Sequence, residues 1–360
     1  MTPAAVSKAI RVTARVLLSL LVLVILLGLG AVGYLFFTRP DTPPFKDAGG
    51  RNISGSIASL EEVELGGCRQ WILIRGRNIS NPVLLFLHGG PGMPAMYLAH
   101  AFQLELEKDF VVVHWDRRGA GKSYSKSVPV ASLNDAQLLS DASELLAYLK
   151  NRFGVPKVYL VGHSWGTWLG LHLVKKSPQD FYAYVGIGQL AFNSEIPAIQ
   201  DRFIRQEAAK RKNGKALKEL ALKGRSVHEK WIFRFGGELY RAKSFWPLLW
   251  TGVRAPEYRL TDILNITKGV SLYSRFYRST EFPGDLAEDV LSVQVPVYFF
   301  TGRHDYVDPF ELSERYFGKL RAPLKQMIWF ENSAHFPFFE EPLRFAEEMR
   351  KVLKETYGDR

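Results

Sequence analysis

Lys157-Val158-Tyr159-Leu160-Val161-Gly162-His163-Ser164-Trp165-Gly166 is an apolar run that passes without a break into the pattern Gly-x-Ser-x-Gly, and helical spacing continues from Trp165 to Lys176. A serine between a strand and a helix sits on a strained turn. Gly162 and Gly166 keep neighbouring side chains from clashing there, so that Oγ stands exposed at the helix N-terminus. The five-residue pattern is common by chance; the strand before it and the helix after it make this one a nucleophile elbow.

Outward from the elbow, Val83 to Leu87, Phe110 to His114, Tyr182 to Ile187 and Val297 to Phe300 are short apolar runs with strand character, as is Val158 to Val161 itself. Asp135 to Arg152, Trp165 to Lys176 and Pro342 to Thr356 carry helical spacing between or after them. The alternation predicts an α/β fold with a mainly parallel sheet buried on both faces. It breaks between Phe192 and Leu291, where the chain turns helical and basic and holds Trp231, Trp246 and Trp250. The expected organisation is a core over 56–191 and 292–360 with a helical cap, 192–291, inserted between its halves.

A serine hydroxyl needs a general base, and the base needs a carboxylate to fix its tautomer and to stabilise the imidazolium. In this fold the chain order is Ser, acid, His. Of the histidines after Ser164, His172 lies in the helix behind the elbow and His228 in the cap, and both are poorly placed. The run Val297 to Phe300 ends in Thr301-Gly302-Arg303-His304-Asp305, which puts Asp305 at the carboxyl end of a strand, where sites of open α/β sheets lie. His335 is the only histidine beyond it. The expected triad is therefore Ser164, Asp305 and His335, with Asp308 as the alternative acid and His304 as a loop or packing residue. Two backbone N–H donors should face the developing oxyanion: that of Trp165, and one from His88-Gly89-Gly90-Pro91-Gly92, with Gly90 preferred over Gly89.

HGGPG at 88–92, Asp116-Arg117-Arg118-Gly119-Ala120-Gly121-Lys122-Ser123 and GHSWG at 162–166 together resemble the proline iminopeptidase group of α/β-hydrolases, whose patterns are HGGPG, DQRGxGxS and GxSWG. The resemblance spans Trp71 to Tyr357 apart from most of the cap. It implies cofactor-free and metal-free hydrolysis through an acyl-enzyme, with the cap closing over a small peptide, an arylamide or an ester. The chain departs from the family in the cap, where Trp246-Pro247-Leu248-Leu249-Trp250-Thr251 stands in place of a WxxWE-like stretch. Proline specificity is therefore not carried over. Glu207, Glu219, Glu229, Glu238 and Glu257 remain as candidates for binding a substrate amine, and the expectation is a weak preference for one. An esterase using the same residues is the alternative function, and a non-catalytic binding protein on the same fold a remote one. Dehalogenase and epoxide hydrolase chemistry would need an aspartate where Ser164 stands.

Val16 to Phe37 is a 22-residue apolar run interrupted by Ser19, long enough to cross about 30 Å of hydrocarbon as a helix. Lys8, Arg11 and Arg15 precede it without an acidic residue, whereas Arg39 and Lys46 after it are offset by Asp41 and Asp47. The expectation is a single-pass anchor over 16–37, with residues 1–15 cytoplasmic and the large domain outside. A cleaved signal peptide is the competitor, with Ala31 and Gly33 as its small residues. Gly28 to Gly33 also matches Gly-x-Gly-x-x-Gly, but no dinucleotide site can form inside a spanning helix. Residues 38–55, rich in Pro and Gly, are expected to be a linker that lifts the domain off the membrane.

The formal charge of +11 is concentrated in residues 201–280, which hold 18 Lys and Arg against 7 Asp and Glu. Without a nucleic-acid-binding motif or a stacking platform, this predicts a solvated or membrane-facing surface and no nucleic acid partner. The single cysteine, Cys68, excludes an internal disulfide and a cysteine-based zinc site, and is expected to be a buried small hydrophobe. The sequence leaves oligomeric state open.

Overall fold

The computed structural model describes residues 3–37, 40–242, 244–279 and 284–358. Arg39, one of the charges used above to orient the N-terminal helix, lies outside them. Among the described residues eight strands form one sheet: β1 (Ile57–Leu65), β2 (Cys68–Gly76), β3 (Val83–Leu87), β4 (Val111–Asp116), β5 (Val158–His163), β6 (Phe181–Ile187), β7 (Val297–Gly302) and β8 (Lys325–Phe330). Their order is β1-β2-β4-β3-β5-β6-β7-β8. The β1–β2 and β2–β4 pairs are antiparallel and all the others parallel.

The near-continuous apolar runs are explained by two covered faces. Along β3 and β5, Leu85, Leu87, Val158 and Leu160 pack with helices Asp135–Phe153 and Trp165–Lys176, and the alternate residues Leu84, Phe86, Tyr159 and Val161 pack with Phe102, Phe338, Phe345 and Met349. Side chains of successive strand residues point to opposite faces, so each run feeds both halves of the core.

β1, β2 and β8 were not foreseen. Ile57–Leu65 sits at the sheet edge and carries Glu61, Glu62 and Glu64, so it reads as polar. It joins β2 through Gly66 and Gly67, both at positive φ (+55° and +68°), a two-residue hairpin connection that glycine adopts without strain.

Between β6 and β7 run helices Ile196–Lys210, Gly214–Lys223, His228–Phe235, Trp246–Val253 and Leu260–Ser279. The first three bury a core of their own around Phe203, Ile204, Leu220, Trp231 and Ile232.

Two expectations need correction. The segment after the N-terminal helix is docked and is no free spacer: Thr42 and Phe45 are buried, Asp41 N donates to Pro256 O (3.1 Å), and Arg75 stacks on the Phe45 ring (4.6 Å). Arg75 also donates to Pro43 O (2.7 Å), which fixes the strand of chain that leaves the helix. Cys68 is half-buried, because β2 begins at the hairpin turn, before the helices cover it.

Candidate active site

Ser164 follows β5 directly and adopts φ +52°, ψ −124°, a region that non-glycine residues occupy only when the surroundings impose it, at a cost of about 1–3 kcal/mol. Its N–H donates to Ile187 O at the end of β6 (2.8 Å), and its carbonyl accepts from Thr167 N and Oγ1 (2.7 and 2.6 Å). Glycine is required on both sides. A Cβ at Gly166 would collide with the carbonyl oxygens of Leu87 and His88, and one at Gly162 would lie 2.7 Å from Gly166 O.

β7 delivers Asp305 and the loop after β8 delivers His335; both side chains are buried. His335 Nδ1 lies 2.9 Å from Asp305 Oδ2, so that nitrogen carries the proton toward the carboxylate and Nε2 is left to face the cavity. Asp305 is itself held, because its Oδ1 accepts from the N–H groups of Val307 and Asp308 at 3.0 Å each. His163 packs on the His335 ring (centroids 4.7 Å apart) and bonds through Nε2 to His335 O (2.9 Å). Burial, reinforced by His335, holds His163 neutral, and because a carbonyl oxygen can only accept, Nε2 is the donor in that bond.

The electrostatics are set by carboxylates packed around one imidazole. Burial alone would lower the pKa of His335, but Asp305, with help from Asp308 and Glu238, outweighs it and pushes the value up to about 9. Asp308 Oδ2 stands 3.9 Å from His335 Nε2. That oxygen has no hydrogen bond of ordinary geometry, although the Ser164 hydroxyl is near enough to favour the ionised form. Burial pushes the Asp308 pKa to about 7, with Asp305 adding to the rise and His335 opposing it. The structure thus brings both candidate acids to His335, Asp305 on Nδ1 and Asp308 on the Nε2 side.

Ser164, His163 and His335 line a cavity of about 480 Å³ together with Gly89 and Gly90 from the loop after β3 and with Phe245, Leu248, Leu249, Gly252, Ile263 and Ile266 from the cap. Neither Gly90 nor Trp165 uses its N–H in a hydrogen bond among the described residues. Arg117 braces this loop, donating to Gly89 O (2.9 Å) while stacking over the Trp165 ring (4.5 Å). The rest of that motif ties the core to the cap: Tyr258 OH donates to Asp116, and Lys122 pairs with Asp262 at 2.9 Å. His304 stacks on Tyr240, and His172 bonds Trp168 O from inside its helix, as loop and packing residues do.

The five cap glutamates separate clearly. Glu207 pairs with Arg211, Glu219 with Lys230, and Glu257 with Thr42 beneath the docked linker. Glu229 borders a second, adjoining cavity. Glu238 lines the Ser164 cavity, has no hydrogen bond or ion pair to its carboxylate among the described residues, and has its pKa raised by burial to about 7.

Sequence reasoning missed three residues. Gly188, at φ +54°, leaves room for the His335 ring, which a Cβ would approach to 2.8 Å. Glu340 accepts from Ala334 N (2.8 Å) and Tyr240 N (2.7 Å), and Glu341 from Asn332 N (3.0 Å) and Ser333 Oγ (2.7 Å), so the loop carrying His335 is held on both sides. The glycine directly after the apolar run that ends at Ile187 was a signal available in the sequence; the two glutamates look like ordinary helix-start charges.

A sequence model of the alpha/beta hydrolase family matches residues 84–348. A probable aminopeptidase, YbaC, of Bacillus subtilis strain 168 is 34% identical over 307 residues, covering 82% of this chain and 96% of that protein. A proline iminopeptidase of Heyndrickxia coagulans is 29% identical over 279 residues, covering 73% and 87%. Among solved structures, a proline iminopeptidase of Mycobacterium smegmatis superposes with a TM-score of 0.61 over 83% of this chain and 98% of its own, at 18% identity, a likeness of fold.

Proposed function

The chain belongs to the alpha/beta hydrolase family and is a hydrolase similar to named aminopeptidases, and from that premise we propose that it is a membrane-anchored serine hydrolase cleaving small peptides or arylamides with a free amine. In this reading Ser164 Oγ attacks the scissile carbonyl as its proton passes to His335 Nε2, and Asp305 steadies the imidazolium. The N–H groups of Gly90 and Trp165 receive the oxyanion. His335 then returns the proton to the departing amine, and water hydrolyses the acyl-enzyme by the same route, regenerating Ser164. No step calls for a cofactor or a metal.

The observation that carries the amine preference is Glu238. A partly buried carboxylate with no cation paired to it among the described residues is costly, and an ammonium group bound in the same cavity would relieve it. This reverses the weak preference expected from the cap sequence alone. The apolar lining from Phe245, Leu248, Ile263 and Ile266 favours the second reading, an esterase, because it suits an acyl chain. Free and N-acetylated aminoacyl arylamides, compared with short- and long-chain esters on the purified full chain, separate the two. Loss of on the order of 100-fold or more in kcat/KM on blocking the amine supports the aminopeptidase, since blocking leaves the carboxylate unpaired. A loss below about tenfold, with esters turned over faster, supports the esterase.

Helix Pro3–Phe37 contains a span, Thr13–Gly30, long and apolar enough to cross a membrane and with no part buried against the rest of the chain. It supports the anchored reading, and the basic residues Lys8, Arg11 and Arg15 ahead of it support placing the catalytic domain on the outer side; an uncleaved chain resisting carbonate extraction is the expected result, and a soluble mature form beginning near Tyr34 would establish the signal peptide instead.

A further inference from the structure

Helix Trp246–Val253 has two unlike faces. Leu248 and Gly252, four residues apart, turn inward to the Ser164 cavity. On the opposite side Trp246 (60% exposed) and Trp250 (48%) face solvent, Leu249 (47%) and Phe245 (43%) stand exposed at the rim of the same cavity, and Leu264 of the neighbouring helix is exposed as well. The Trp246 and Trp250 rings stack at 5.9 Å. Arg254 lies over the Trp250 ring and is exposed without an ion pair among the described residues.

Tryptophans flanked by arginine are suited to one environment above others, the boundary between lipid chains and headgroups, where an apolar ring and its N–H are both satisfied and the basic groups meet phosphate. The chain also brings this face to such a boundary. The N-terminal helix ends at Phe37, and four residues later Asp41 N is bonded to Pro256 O and Thr42 Oγ1 to Glu257 (3.0 Å). Four residues span at most about 14 Å. The turn that follows helix Trp246–Val253 is therefore pinned within that distance of the end of the apolar helix, and a domain so tethered has its cap held against the bilayer.

We propose that the exposed face of helix Trp246–Val253, with Phe245 and Leu264, docks into the outer leaflet of the membrane that the N-terminal helix spans, so that the mouth of the Ser164 cavity opens toward lipid and receives amphiphilic substrates from it. The proposal rests on the reading of the N-terminal helix as a span. It gives the basic, tryptophan-bearing cap a physical use: the inward face shapes the cavity and the outward face holds it at the interface. A second copy of the chain seated on the same face is the competing occupant, and its signature differs.

The test uses the full chain in vesicles of phosphatidylcholine and phosphatidylglycerol, with or without bromine on the acyl chains near the headgroup. The other tryptophans, Trp71, Trp115, Trp165, Trp168, Trp231 and Trp329, are buried or partly buried, so quenching by brominated lipid reports on Trp246 and Trp250. The expected result is strong quenching that falls roughly threefold or more in W246F/W250F, since lipid-chain bromines quench only rings at their own depth. In W246Q/W250Q, KM for a long-chain, vesicle-borne aminoacyl substrate should rise roughly tenfold while kcat on a soluble arylamide stays unchanged. Flotation of the same samples separates the two levels of the argument. A chain that floats with vesicles but shows no quenching retains its span and overturns the docking, as does a cross-linked dimer that shields these rings from lipid. A chain that does not float overturns the span and the docking together.

Discussion

The strand-end loops and the cap meet at one cavity but are built on opposite principles. On the sheet side, Ser164, Asp305 and His335 are fixed by backbone bonds to Ile187, Val307 and Asp308, and through the His335 loop by Glu340 and Glu341. On the cap side the lining is mostly apolar, and Glu238 has no ion pair among the described residues. On the function proposed above, the difference teaches where each property resides: the bonded shell would set the reaction, and the cap which molecule undergoes it.

The comparison breaks first if the sheet side proves dispensable. Ser164→Ala and His335→Ala should each lower kcat on the order of 10³ to 10⁶, with the double variant scarcely worse, as measured by steady-state kinetics and loss of fluorophosphonate labelling. Asp305→Asn should cost about 10⁴ in kcat, because His335 would lose the partner that fixes its tautomer. A severe Asp308→Asn beside a mild Asp305→Asn would move the acid to the other position and dissolve the bonded shell as described.

On the cap side, Glu238→Gln should raise KM for free-amine substrates by roughly 10- to 100-fold, leave kcat within a few-fold, and leave N-acetylated substrates untouched. For the wild type, KM on free-amine substrates should also climb as pH falls through about 7, where Glu238 takes up its proton. Equal effects on blocked and free substrates would make Glu238 a structural residue.

A smaller effect sharpens the boundary between the two sides. His335 is a base only when neutral, and its pKa is raised to about 9, so kcat/KM should rise with pH through that value in the free enzyme. Asp308→Asn removes a negative charge near Nε2 and should carry the acidic limb to lower pH with little change in the plateau. A limb that stays in place would show that Asp308 does not act on His335. Smallest of all, Tyr258→Phe removes the cap's hydrogen bond to Asp116 and should cost about 1 kcal/mol, read as a fall of a few degrees in Tm.

The two sides also differed in how far the sequence disclosed them. Ser164, its glycines and the run of strands were legible because the chemistry of a strand-turn-helix elbow is local: it needs particular residue types within five positions. Asp305 and His335 followed from strand ends and chain order. Glu238 could not be chosen from five glutamates, because the choice depends on how the cap helices between Ile196 and Ser279 fold over the ends of β5 and β7. Edge strand β1 was hidden for a related reason, since three of its nine residues are glutamates, with Glu62 and Glu64 exposed to water. The docking of Thr42 and Phe45 was likewise unreadable from a Pro- and Gly-rich composition that is shared by free linkers.

The bonds from His335 N to Glu238 O (3.0 Å) and from Tyr240 N to Glu340 bear on how this protein could be re-engineered. A cap lying between two strands invites replacement as a cassette, cut at its ends and exchanged with that of a relative. Here the middle of the cassette supplies a main-chain acceptor to the histidine of the scaffold and a main-chain donor to its neighbouring helix. Residues 236–240 and 332–341 therefore form one inheritable unit that crosses the seam. A chimera that exchanges the cap but keeps this pair matched should retain its histidine in register, and one that divides it should lose turnover even on substrates the new cap was chosen to admit.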